Sequence, residues 1–177
     1  MALLTVAVCL LTLLTLVHLL VTFAVVRRLR EHANLLNARP TPGPGGGIAA
    51  AGTAVGAFTA VTTTGEPIGD ADLARPTLVG FFTPGCAPCR TAIPKFLDAA
   101  RDHGGGRTGV LAVVAGLPEE TAEYAETLAA VARVVVELPD DPVTAAFDIN
   151  SYPAFAVVAD GTVQVSGMSL NDLAVAA

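Results

Sequence analysis

From Met1 to Val26 the chain carries no charged side chain, and Arg27, Arg28 and Arg30 then end the run abruptly. Its only polar side chains are Thr5, Thr12, Thr15, Thr22 and His18. A helix of that length spans roughly 39 Å, more than the ~30 Å hydrocarbon core of a bilayer. Threonine hydroxyls are tolerated there because they bond back to the helix's own carbonyls. His18 reads as a neutral side chain facing a partner helix or a threonine. Residues 1–26 are therefore expected to form one transmembrane helix. A cleaved signal peptide fits less well, since such peptides have a basic start, a shorter apolar stretch and a small-x-small cleavage site. Cys9 lies too early for lipidation and reads as an ordinary apolar residue of the span.

Residues 27–47 read as a tether. Arg27 to Arg39 extends the helix as a polar stalk, and Arg39-Pro40-Thr41-Pro42-Gly43-Pro44-Gly45-Gly46-Gly47 sustains neither helix nor strand. Four Arg and one Glu give residues 1–47 a net charge of +3, whereas six basic and fifteen acidic residues give 48–177 a net charge of −9. The arginines suit anionic headgroups. With −6 overall, a broad basic face for nucleic acid is excluded. Hydrophobic residues at 53% exclude a disordered chain, and three Cys are too few for a disulfide scaffold. The 130 residues from Ile48 to Ala177 suffice for one independent core.

Within that domain short strand signals alternate with helical ones. Ala57 to Thr63 reads as a strand, with Gly65-Glu66-Pro67 turning the chain towards Ile68. Pro76 to Phe82 is a nearly continuous apolar run, the mark of a buried central strand. Thr91 to His103 has helical spacing through Ile93, Phe96, Leu97 and Ala100, and three glycines stop it. Val110 to Ala115 and Val134 to Leu138 read as further strands, separated by a helix opening at Pro118 with acids at its positive end. A short helix over Asp141 to Phe147 follows. Pro153 to Ala159 and Thr162 to Gly167 form a hairpin at Asp160-Gly161, and Leu170 to Ala177 forms a last short helix. Parallel units closed by an antiparallel hairpin predict a three-layer α/β sandwich around a mixed sheet.

The chemistry lies in Thr83-Pro84-Gly85-Cys86-Ala87-Pro88-Cys89-Arg90, just after the buried strand. Cys86 falls at a helix N-terminus, where free amides and the macrodipole favour a thiolate. Cys89, three residues on and shielded by the helix, is placed to close a small disulfide ring. That makes Cys86 the attacking sulfur and Cys89 the resolving one. Pro88 fixes the first helical turn without removing a needed donor. Other readings stay open. A zinc site needs four ligands, and there is no second C-x-x-C or nearby His pair. The cysteines as inert buried residues, a thiol peroxidase with Thr83 three residues before Cys86 (though Val79, not proline, stands four before that), and a non-catalytic scaffold or metal chaperone are the remaining alternatives.

Strand, aromatic pair, C-x-P-C and a helix bearing Pro94 resemble the thioredoxin fold, and more closely the membrane-anchored thiol–disulfide oxidoreductases of the TlpA, ResA and MauD type. The resemblance covers most of 50–177, including a strand pair over Val55 to Ile68. It implies a cis-proline opposite the disulfide, for which Pro153 in Asn150-Ser151-Tyr152-Pro153-Ala154-Phe155 is the candidate. It further implies that Tyr152 and Gly85 line the substrate groove, with Pro88, Arg90 and Pro94 supporting the motif helix. Two positions depart from the pattern: Gly85 stands where Trp usually precedes the first Cys, and Gly80 where a buried acid is expected. No proton-transfer group for Cys89 can then be named.

The resemblance implies no cofactor beyond the redox-active Cys86–Cys89 disulfide. Its implied partners are protein thiol or disulfide substrates and an upstream electron donor or acceptor, with the bilayer contacted through 1–26. Arginines after the span argue for a cytoplasmic domain. The resemblance argues for an extracytoplasmic one, which is the expectation taken here.

Overall fold

The computed structural model describes residues 46–175 together with positions 1, 5, 10 and 15. The expected membrane span and most of the tether lie outside those residues. Among the described residues no helix is long and apolar enough to cross a membrane.

A five-stranded sheet organises the domain. Its strands are β3 (Thr77–Phe82), β4 (Val110–Ala115), β5 (Arg133–Glu137), β6 (Ala154–Ala159) and β7 (Thr162–Gly167), in the spatial order β5-β4-β3-β6-β7. β3 runs parallel to β4, and β4 to β5, whereas β3–β6 and β6–β7 are antiparallel. The mixed sheet is thus as expected, with β3 at its centre and every residue of β3 and β4 buried. Two short strands, β1 (Thr59–Val61) and β2 (Pro67–Gly69), pair as a separate ribbon.

β1 is shorter than the expected Ala57 to Thr63. Asp70 Oδ1 accepts the Phe58 N–H (3.2 Å), which ends the ladder on one side. On the other, Thr62 Oγ1 accepts the Glu66 N–H (3.0 Å) and closes the turn. At Asp160-Gly161 both residues are left-handed, with φ of 51° and 66°, which matches the twist of the flanking strands.

Successive residues of β3 face opposite sides of the sheet. Leu78 and Phe82 join one apolar cluster with Ile93, Phe96 and Ala100 of α1 (Ala87–Asp102), Leu128 of α2 (Pro118–Ala129) and Leu173 of α4 (Leu170–Val175). Val79 and Phe81 join the other, with Phe58, Ile68, Leu73, and Val143 of α3 (Pro142–Ala146). Helices therefore cover one face, and the ribbon with α3 covers the other: three layers. The short α4 still seats Leu173, 8% exposed, in the core.

α1 begins at Ala87, four residues before the apolar periodicity does. Its first turn is Ala-Pro-Cys-Arg, in which only Cys89 faces the core, so a hydrophobic pattern has little to register there. The helix runs on through Pro94.

Candidate redox site

At the C-terminal end of β3 the chain leaves the sheet through Thr83-Pro84-Gly85. The Thr83 hydroxyl donates to the Ala115 carbonyl at the end of β4 (2.8 Å). Pro84 packs so closely on Gly116 that a Cβ there would lie 3.0 Å from Pro84 Cδ. Gly85 is exposed, its φ is +74°, and a Cβ built on it meets nothing within 4 Å. The left-handed backbone explains glycine at this position.

Cys86 is the N-cap of α1, with Pro88 in the first turn. Its Sγ accepts the Cys89 N–H at 3.1 Å, one of the amides that a helix start leaves without an intrahelical partner. No acidic residue lies in that turn to oppose a negative sulfur. Cys86 and Cys89 form a disulfide with Cα atoms 5.2 Å apart. Their exposures differ: Cys86 is half-buried, while Cys89 is fully buried among Phe82, Ile93 and Phe96.

Across from the disulfide, the Tyr152–Pro153 peptide bond is cis, and Tyr152 O lies 3.7 Å from Cys86 Sγ. Pro153 is buried and Tyr152 half-buried. Burial, then the charges of Glu137 and Asp140, push the Tyr152 phenol up to about 12, so it is neutral at physiological pH. Upstream of this turn, the Asn150 N–H donates to Gly47 O (3.0 Å), tying it to the start of the described domain.

Cys86, Cys89, Gly85, Pro88, Tyr152 and Pro153 therefore converge at one end of the sheet. Arg90 is exposed and has no side-chain hydrogen bond or ion pair among the described residues. Pro94 lies two turns down α1, away from the sulfurs. A groove of about 320 Å³ opens beside the disulfide, between Pro88, Thr91 and Lys95 of α1 and the segment Met168 to Leu170, with Tyr152 and Pro153 at its base. Helical spacing of Pro88, Thr91 and Lys95 was available to find one wall. The other wall depends on sheet order, which sets the end of β7 beside the start of β6. A larger cavity, about 510 Å³, lies at the opposite sheet end near Thr77, Gly109 and Arg133, remote from the sulfurs. Among the described residues no three His, Cys, Asp or Glu side chains group as metal ligands.

No family model matches the chain, and no curated protein matches it in sequence. Solved structures do. The thioredoxin domain of a thiol-disulfide oxidoreductase from Bacteroides vulgatus superposes with a TM-score of 0.56 at 23% identity, over 70% of this chain and 92% of that one. A thiol:disulfide interchange protein of the thioredoxin family from Chlorobium tepidum gives 0.54 at 24%, over 72% and 94%. A thio-disulfide isomerase from Thermus thermophilus gives 0.52 at 24%, over 71% and 96%. The domain thus has a thioredoxin-like fold, carrying a C-x-x-C disulfide at a helix N-terminus.

Proposed function

We propose that this chain is a thiol–disulfide oxidoreductase acting on protein thiols and disulfides. The observation that carries the reading is the asymmetric pair itself: a half-buried Cys86 at the start of α1, disulfide-bonded to a fully buried Cys89, beside the Tyr152 carbonyl. In the reducing direction the Cys86 thiolate attacks one sulfur of a substrate disulfide. It forms a mixed disulfide and releases the first substrate thiolate. Cys89, deprotonated, then attacks Cys86 Sγ, closing the internal disulfide and releasing the second thiolate. Two electrons pass to the substrate, and both leaving sulfurs take up protons. The reverse sequence oxidises a dithiol. The helix amides favour the negative charge on Cys86, and burial disfavours it on Cys89, so the first attack falls to Cys86. The backbone at Tyr152–Pro153 lies beside the attacked sulfur, where an extended substrate segment can pair with it.

We further propose that residues 1–26 anchor the domain in a membrane, that 27–47 tether it, and that it works on the extracytoplasmic side with an electron donor or acceptor there. The uncharged 26-residue run and the Pro/Gly linker support the anchoring. Labelling with a membrane-impermeant thiol reagent on intact cells tests the side.

The oxidoreductase reading is tested by trapping. Cys89→Ser is expected to accumulate mixed disulfides with protein partners in vivo, and Cys86→Ser to accumulate none. A redox titration is expected to give a single two-electron couple. Absence of both results overturns the proposal. The thiol peroxidase alternative needs the Thr83 hydroxyl beside the Cys86 sulfur, and that hydroxyl instead bonds to Ala115 O. Peroxide consumption no faster than by a free thiol discards it.

A further inference from the structure

We infer that the groove beside the disulfide selects substrate segments carrying an acidic side chain two residues from the reactive cysteine, through Lys95. The inference rests on the oxidoreductase reading and names what that site prefers.

Lys95 lines the groove and is exposed, and among the described residues its ammonium has no ion pair and no hydrogen bond. The nearby carboxylates are engaged elsewhere. Asp98, one turn further along α1, pairs with Arg101 at 2.7 Å. Asp172, behind the opposite wall, accepts the Ser169 N–H at 2.9 Å. A cation is thus left at the far end of a groove whose walls are otherwise mostly apolar, in a domain with fifteen acidic and six basic residues.

The spacing follows from the helix. Pro88 stands beside the disulfide and Lys95 is seven residues on, about 10 Å along the axis. The Lys95 side chain leans back over the preceding turn of α1, which leaves a span of about 7 Å, two residues of extended chain. In a substrate segment lying along α1, the side chain two residues from the cysteine shares its face and so meets the Lys95 ammonium. The one side chain in between faces Met168 and Leu170 on the opposite wall, which suits an apolar residue. The flexible Lys stem accommodates Asp or Glu at that position.

Synthetic cysteine peptides carried as mixed disulfides with glutathione provide the test. One series places Asp, Asn or Lys two residues before the cysteine, another two residues after it, with Leu between. The full chain in detergent is compared with Lys95→Gln and Lys95→Glu. In one of the two series, the wild-type kcat/KM for the Asp peptide is expected to exceed that for the Lys peptide about five-fold, the scale of a partly exposed ion pair. Lys95→Gln is expected to abolish the preference and Lys95→Glu to reverse it, with the ratio falling at high salt. If the wild type treats Asp and Lys peptides alike in both series, or if Lys95→Glu lowers both equally, the inference is overturned. A small aromatic disulfide presented to the wild type separates the two levels. Its reduction without peptide discrimination sinks this inference alone, whereas failure with every disulfide sinks the oxidoreductase reading as well.

Discussion

The ring of Phe96 fills the space that a side chain at Gly80 would occupy: a Cβ built on Gly80 lies 2.6 Å from Phe96 Cε2 and 3.0 Å from Phe82 Cε2. Gly80 sits on the face of β3 that packs against α1, where the family resemblance places a buried acid. In this chain that face carries aromatic packing. Phe82, Phe96 and Phe155 meet there with ring centroids 5.2 to 6.1 Å apart.

Placing an acid at Gly80 is therefore expected to fail sterically. Gly80→Ala should lower stability by about 1–3 kcal/mol, the range for overpacking a filled core. Gly80→Asp should lower it further, since the carboxylate is buried without a partner. Phe96→Ala alone should cost about 3–5 kcal/mol. The double variant Gly80→Asp/Phe96→Ala should lose less than the sum of its parts, because the removed ring makes room for the new side chain. Urea midpoints of the wild type and the four variants check this, and strict additivity would contradict it.

Cys86 acts as a helix cap as well as a sulfur. Its Sγ accepts the Cys89 N–H at 3.1 Å. With the disulfide reduced, Cys86→Ser is expected to leave stability nearly unchanged, since Ser is a favoured N-cap. Cys86→Ala should lose about 1 kcal/mol. Denaturation under reducing conditions separates the two, and equal losses would show that the cap contributes nothing.

Much of this site is legible in the residues. β4 spans Val110–Ala115 and β7 spans Thr162–Gly167, as their apolar runs and turn residues indicate, and Pro118 opens α2. The C-x-x-C pair at the start of α1 and a cis Pro153 also match expectation. These are local signals: a proline, a D-G turn, a continuous buried run. What escaped depends on long-range pairing. The bond from Asn150 N–H to Gly47 O and the groove wall at Met168 to Leu170 arise only once β6 and β7 are set beside β3. The β1–β2 pair itself is as expected; its shorter bounds reflect Asp70 taking the Phe58 amide, a side-chain choice that strand propensity does not encode.

Gly47 is one such long-range position. Its φ is +124°, and a Cβ there would lie 2.7 Å from Met168 Sδ and 2.9 Å from Ser151 Cβ. Met168 lines the groove, and Ser151 precedes Tyr152. Gly47→Ala combines an unfavourable backbone with a displaced groove wall, so about 1–3 kcal/mol of stability should be lost. KM for peptide disulfides should rise as well. Thermal unfolding and peptide kinetics measure the two effects, and an unchanged Tm would show that the contact yields freely.

Glu137 gives the domain a pH dependence whose sign can be worked out. Its side chain is buried, 9% exposed, and accepts from Thr144 N (2.7 Å) and Val143 N (3.2 Å) at the start of α3. Burial, the largest influence, raises its pKa above the ordinary 4.5; the hydrogen bonds from Thr144 and Val143 work against this, and Asp141 adds to it. The folded state therefore holds the proton more tightly than the unfolded chain. Below 4.5 Glu137 is protonated in both states and contributes no slope. As pH rises from there, the unfolded chain ionises first, and stability falls until the pH passes the folded pKa. Glu137→Gln should remove this decline while leaving the contributions of the other carboxylates in place. Urea unfolding at a series of pH values, wild type against variant, reads the difference directly. A difference in stability that stays constant from pH 4 to 8, or that grows in the wild type's favour over the window just above 4.5, would contradict the assignment.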